Sequence, residues 1–180
     1  MSKSDEDRRA QALRANLRRR KTAFASAPAS PVPRKLDLAA VPEESGCGYP
    51  WPYDQPVRAR RWRALGEASG LTQLGVNLVT VPPGGWSSQR HWHAVDDEFV
   101  WMISGELVLV TNAGEQVMRP GDCAGFKGGD PDGHHLQNRT AADASFLVVG
   151  GRGEGDFCTY PEADMRWDFN REAFVHKDGT

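Results

Sequence analysis

The chain has 180 residues, 39% of them hydrophobic, which suffices for one ordinary core and leaves two full domains crowded. No run approaches the roughly 18–20 apolar residues that span a bilayer, and the N-terminus lacks the apolar stretch of a secretory signal, so a cytoplasmic protein is expected. The net charge of −2 divides unevenly: residues 1–21 carry eight Lys/Arg against three Asp/Glu, or +5, leaving −7 on the remainder and arguing against nucleic acid binding by the folded part.

In chain order, residues 1–21 read as a basic arm, helical or disordered. Ser4 can cap a helix whose positive end meets Asp5-Glu6-Asp7 and whose negative end meets Arg18-Arg19-Arg20-Lys21. Its apolar stripe of Ala10, Leu13 and Leu17 is too narrow to hold a helix alone in water. A solvated arm is the favoured reading, and nucleic acid or an acidic partner is possible only through it. Residues 22–35 form a Pro/Ala/Ser-rich linker, and residues 36–180 form the folded domain.

That domain reads as short strands punctuated by Gly and Pro. Expected strands are Leu74 to Val81, Gln89 to His93, Glu98 to Ile103, Glu106 to Thr111, Gln116 to Met118, Asp122 to Phe126, His134 to Asn138 and Ser145 to Val149. Asn112-Ala113-Gly114 and Arg119-Pro120-Gly121-Asp122 read as corners, with Gly105 and Gly121 relieving sterics. No long amphipathic helix interrupts the series, so an all-β sandwich or barrel is predicted. Cys47, Cys123 and Cys158 are widely spaced and odd in number, which suggests neither a disulfide framework nor a zinc knuckle; Cys123 reads as a small buried hydrophobe.

The chemistry concentrates in Gly85-x5-His91-x-His93-x4-Glu98-x6-Gly105. Side chains at i and i+2 of a strand share a face, so His91 and His93 can reach one ion while Trp92 points away. Glu98 has the wrong parity for that face, which requires Ala94-Val95-Asp96-Asp97 to turn or bulge before the next strand. By the same parity Gln89 joins the inward face, with Val100, Met102, Leu107 and Leu109 as apolar walls. Arg90 and Asp97 read as surface or supporting groups, and Trp92, Phe99 and Trp101 as an outer face that covers either the second sheet or a neighbouring subunit, a homodimer being favoured.

A second cluster runs Gly121-Asp122-Cys123-Ala124-Gly125-Phe126-Lys127-Gly128-Gly129, then His134-x3-Asn138. The pair of clusters resembles the two motifs of the cupin superfamily, in which two His and a Glu from the first motif and a His from the second bind a metal inside a small β-barrel. The first motif matches at every position. The second departs twice, with Lys127 where the family has Pro and two extra residues between Gly129 and His134. The resemblance implies a double-stranded β-helix, or jelly roll, with His91, His93, Glu98 and His134 as metal ligands. Strand parity with Asn138 favours His134, with His135 as the alternative.

Gly46 to Pro50, Leu65 to Leu78, Tyr160-Pro161 and Lys177-Asp178-Gly179 extend the resemblance to a bacterial single-domain cupin group loosely labelled sugar-phosphate-isomerase-like. The implied cofactor is one divalent transition metal per chain: Fe, Mn, Ni, Co or Zn. The implied function is a metal-dependent enzyme acting on a small oxygenated metabolite by isomerase- or lyase-like chemistry. The alternatives are an Fe-dependent dioxygenase and a non-catalytic, metal-assisted small-molecule-binding or sensory cupin. Gln89 and Lys127 are the catalytic candidates; Lys127, beside the disordered-looking Gly128–Gly133 loop, is placed to meet a substrate carboxylate or phosphate.

Overall fold

The computed structural model describes residues 35–168 and 173–178, so the arm at 1–21 and the linker up to residue 34 lie outside the described residues. Thirteen short strands follow one another among those described. They are β1 (Glu44–Ser45), β2 (Arg61–Ala64), β3 (Leu74–Val81), β4 (Trp92–His93), β5 (Glu98–Ser104), β6 (Leu107–Thr111) and β7 (Gly114–Met118), followed by β8 (Cys123–Phe126), β9 (His135–Gln137), β10 (Ala144–Gly151), β11 (Cys158–Thr159), β12 (Arg166–Asp168) and β13 (Ala173–Val175). A 3-10 turn at Leu38–Ala40 and one α-helical turn at Leu65–Ala68 are the helices among these residues. None is long and apolar enough to cross a membrane.

The strands pair antiparallel into a six-stranded sheet ordered β1-β2-β3-β10-β5-β8, a three-stranded sheet β7-β6-β9 and a four-stranded sheet β13-β12-β11-β4. Placing β10 between β3 and β5 brings sequence-distant strands together, as in a jelly roll. The all-β architecture is therefore as expected. The main core joins Val79 and Val81 of β3, Val100 and Met102 of β5, and Leu107 and Leu109 of β6. A smaller cluster at the four-stranded sheet gathers Tyr160, Ala163 and Met165 with Tyr49 and Cys158.

Alternation along β5 governs what faces inward. Val100 and Met102 are buried, while Phe99, Trp101 and Ile103 are exposed, and Glu98 shares the parity of the buried pair. At the end of β5, Gly105 adopts φ +74°, and a Cβ there would stand 2.7 Å from both Cα and Cβ of Ala144. Only glycine makes that corner without strain.

Three expectations need correction. The strand expected over Gln89 to His93 is regular only at Trp92–His93, because residues 87–90 bend. Cys123 is exposed, not a buried hydrophobe: its pairing opposite Trp101 places it on the outer face of the sheet. The strands β1, β2 and β11 to β13 were not anticipated, since segments such as Arg61–Ala64 and Cys158–Thr159 are too short to display apolar alternation.

Candidate metal centre

The two clusters meet where His91 and His134 form a β-bridge, His91 N donating to His134 O at 3.1 Å and His134 N to His91 O at 2.8 Å. Just past His91, β4 carries His93. The chain then bends through 94–97 as parity requires, and Glu98 opens β5 with its carboxylate directed back at the imidazoles. His134 Nε2 lies 3.3 Å from Glu98 Oε1, and His93 Nε2 lies 3.6 Å from Glu98 Oε2. Two donors each about 2.1 Å from one ion stand about 3.0–3.4 Å apart at 90–109°, so these separations approach those of shared ligands. Two triads of donor atoms fall within 4.8 Å of one another: His91, Glu98 and His134, and His91, His93 and Cys158.

Ring orientation suits a cation. Burial drives the His91 pKa down to about 4, leaving a neutral ring. Its Nδ1 is 2.9 Å from the Gln89 carbonyl oxygen, which can only accept, so Nδ1 carries the proton and Nε2 the lone pair. Burial also opposes charge on His93, but hydrogen bonds with Cys158, Glu98 and Asp156 outweigh it and raise the ring to about 11. Against the same desolvation, hydrogen bonds from His134 and His93 hold Glu98 far below the usual carboxylate range. Carboxylates on both sides of the ring thus favour positive charge at His93, which a divalent cation would supply.

Asp156, which sequence reasoning missed, organises this corner. Its Oδ2 accepts from His93 Nδ1 at 2.7 Å, while its Oδ1 accepts from the amides of Val95 at 2.9 Å and Asp96 at 3.2 Å. That arrangement fixes the His93 ring with Nε2 toward Glu98, as carboxylates beside metal-binding imidazoles do. His134 is held differently: Phe126 stacks on it with centroids 3.5 Å apart and planes 3° from parallel, and its buried Nδ1 has no hydrogen-bond partner. Three imidazoles and one carboxylate with these orientations fit a divalent transition metal.

A cavity of about 160 Å³ is lined by His93 and His134, by Trp92 and Phe126, and by Asp96, Lys127, Asp130 and Asp132, of which Lys127 and Asp130 are exposed. Trp92 therefore walls the cavity instead of facing away. The 128–133 loop, read from sequence as disordered-looking, is tied down: Gly128 N donates to Asp97 Oδ1 at 2.9 Å, Gly129 N to His93 O at 2.8 Å, and Asp132 Oδ1 accepts from Asn112 N at 2.6 Å. Arg90 donates to the carbonyl of Gly133 at 2.9 Å and pairs with Glu162, bracing the approach to His134.

Gln89 does not join the ligands. Its Nε2 donates to the Tyr53 carbonyl at 2.7 Å, because the bend before His91 breaks the strand alternation. It lines a separate cleft of about 500 Å³ with Trp86, Arg90, Gln137 and His135. His135 faces that cleft, as parity predicts, yet is buried there against Trp86, with Nδ1 3.1 Å from the Ser88 carbonyl oxygen. The structure thus sets His134, not His135, beside Glu98.

The cupin-domain family model matches residues 77–150. A crystal structure from Silicibacter pomeroyi, described as a sugar phosphate isomerase from the cupin superfamily, is 47% identical, covers 81% of this chain and 94% of that one, and superposes with a TM-score of 0.76. The chain belongs to the cupin superfamily. A second crystal structure, from Acidithiobacillus ferrooxidans and proposed to be a sugar phosphate isomerase, is 29% identical over 65% of this chain and 74% of that chain, with a TM-score of 0.60. The polyketide cyclase RemF of Streptomyces resistomycificus, 18% identical over 67% and 80% of the two chains with a TM-score of 0.54, shares the cupin fold alone. No curated protein matches the sequence. Cupin domains often bind a metal, and the His91, Glu98 and His134 cluster of this cupin could hold one.

Proposed function

We propose that this cupin is a metal-dependent enzyme acting on a small oxygenated metabolite, with isomerase- or lyase-type chemistry through an enediolate-like state. The observation that carries the reading is the convergence of His93 and His134 on Glu98, with both imidazoles lining a cavity. In it, His91, His93, Glu98 and His134 hold the ion. When bound, a divalent ion polarises a carbonyl and acidifies the neighbouring carbon. Asp156 keeps the His93 ring from rotating, Phe126 does the same for His134, and Trp92 with Phe126 restricts water around the reacting atoms.

Size and charge bound the substrate. A cavity of about 160 Å³ lies below the roughly 300–1,000 Å³ of sites that enclose drug-sized ligands, so a few carbons enter and any remainder stays at the mouth. At that mouth Lys127 stands among Asp96, Asp130 and Asp132. Three carboxylates against one ammonium favour hydroxyl-rich or singly anionic groups over a phosphate dianion held deep in the cavity. The names of the two relatives support the isomerase class, while this rim argues that any phosphate rests outside.

Metal-loaded protein incubated with short hydroxyaldehydes and hydroxyketones in D2O should exchange the proton beside the carbonyl, read by NMR, and Glu98→Gln should abolish the exchange. Ligand-induced thermal stabilisation without exchange or turnover, with each of Fe, Mn, Co, Ni and Zn loaded in turn, would instead make the protein a metal-assisted binding module.

A further inference from the structure

The cleft of about 500 Å³ that takes in Gln89 and His135 has a chemistry of its own. Its volume falls within the roughly 300–1,000 Å³ of sites that hold small molecules. Of its described lining side chains only Arg90 and Glu162 carry charge, since burial holds the His135 pKa down. The His135 ring is also fully engaged: Nδ1 donates to the Ser88 carbonyl oxygen, and Nε2 accepts from Gln137 Nε2 at 3.0 Å. The polar focus is the Arg90 guanidinium. Its Nε donates to the Gly133 carbonyl at 2.9 Å, which fixes the plane of the group, while one terminal nitrogen meets Asn112 Oδ1 and the other Glu162 Oε1. Asn112 and Glu162 both line the cleft, so those terminal nitrogens stand at its surface. The Arg90 side chain is 15% exposed and that of Glu162 59%, a fixed cation capped by a carboxylate that can swing into water. An ion pair with so exposed a partner contributes little, so Glu162 is readily exchanged for another carboxylate. With Oδ1 turned to Arg90, Asn112 keeps its Nδ2 as a second donor. Trp86, edge-on to His135 with ring centroids 4.7 Å apart, and Val110 supply the apolar wall.

We propose that this cleft is a second ligand site, separate from the metal centre, and that it takes a small planar monocarboxylate. The ligand's carboxylate replaces Glu162 on the terminal nitrogens of Arg90, a fork that matches two carboxylate oxygens, and its flat body lies against Trp86. A single charge is favoured over two, because Arg90 is the one cation in the described lining and Asp132 Oδ1 already stands 3.9 Å from it. The site uses neither Glu98 nor the imidazoles that converge on it.

The test uses the untagged full chain, isotope-labelled at tryptophan and loaded with Zn2+. In NMR the indole N–H of Trp86 reports on this cleft and that of Trp92 on the metal cavity. Benzoate is expected to shift the Trp86 signal saturably, with a millimolar dissociation constant, and to leave Trp92 unmoved. Benzamide has the same shape without the charge and should bind about tenfold more weakly or worse, as loss of a charge-assisted pair implies. Glu162→Gln, at an exposed position, removes the competing carboxylate and should tighten benzoate binding about two- to five-fold. Arg90→Gln should abolish it. A Trp86 signal that does not saturate, benzamide that matches benzoate, or Glu162→Gln that fails to tighten binding overturns the proposal. A shift at Trp92 alone does so too, by placing the anion at the metal centre. The wild-type and Glu162→Gln arms decide the matter even where Arg90→Gln fails to fold. Protein that takes up no Zn2+ sinks the metal reading but is titrated in the same way, so the two readings fail separately.

Discussion

His93 is the residue on which most of the local electrostatics turns, because Glu98 and Asp156 both address its ring. Asp156→Asn keeps the shape but replaces a charged acceptor with a neutral one, and removing such a partner typically lowers metal affinity about 10–100-fold. We expect that loss in competitive metal titrations, with an unchanged circular dichroism spectrum. The metal-free protein should also show a stability optimum near pH 6.5. His93 is raised from 6.5 to about 11, so its contribution is complete below pH 6.5 and fades as pH rises toward 11. His91 is lowered from 6.5 to about 4, so its contribution is present above pH 6.5 and is lost as pH falls toward 4. Thermal melts across pH 4 to 10 check this, and a His93→Gln variant should lose the alkaline decline. Parity and motif spacing suffice to read His91, His93 and Glu98 from sequence. Asp156 and Cys158 escape such reading because they meet His93 from 63 and 65 residues away, a closure no local pattern encodes.

Among the strands, agreement between sequence and structure follows length and alternation. β3 spans the expected Leu74–Val81, and β5 overruns its expected end by one residue, since long runs of β-branched and aromatic residues leave little freedom of register. β4 retains two residues of an expected five, and that shortening is what carries Gln89 away from the ligands. Corners were legible where glycine is compulsory, and the degree of compulsion is measurable. At Gly105 a methyl group would meet Ala144 at 2.7 Å and the Asp143 carbonyl oxygen at 2.8 Å, in addition to the cost of φ +74°. Gly121 has φ +97° but nothing within 4 Å of a added Cβ. Gly121→Ala should therefore cost only the left-handed backbone penalty, about 1–2 kcal/mol. Gly105→Ala adds overpacking of about 1–3 kcal/mol to that. Urea denaturation of the two variants should show Gly105→Ala clearly the less stable; equal losses would mean that Ala144 yields freely.

For the whole molecule, the outer surface of the six-stranded sheet is the feature that the metal centre does not explain. Phe99, Trp101 and Ile103 stand 43%, 49% and 50% exposed in a row along β5. Leu147 and Val149 of β10 lie beside them on one side, and Cys123 and Gly125 of β8 on the other. The composition of β5 is apolar on both faces, whereas a sheet with one face in water ordinarily alternates apolar with polar residues. A second copy of the chain is the economical cover, because a two-fold axis at Trp101 lays Phe99 of one subunit on Ile103 of the other and satisfies both strips at once. Sequence parity already pointed to Phe99 and Trp101, though not to Ile103, and parity alone could not distinguish a subunit contact from a face covered by the chain's own second sheet. We expect a dimeric mass in sedimentation at micromolar concentration, and a monomeric mass for Trp101→Glu with metal uptake retained, since Trp101 points away from Glu98 and the imidazoles. A monomeric wild type would sink this assignment. A Trp101→Glu variant that stays dimeric would move the interface to another face.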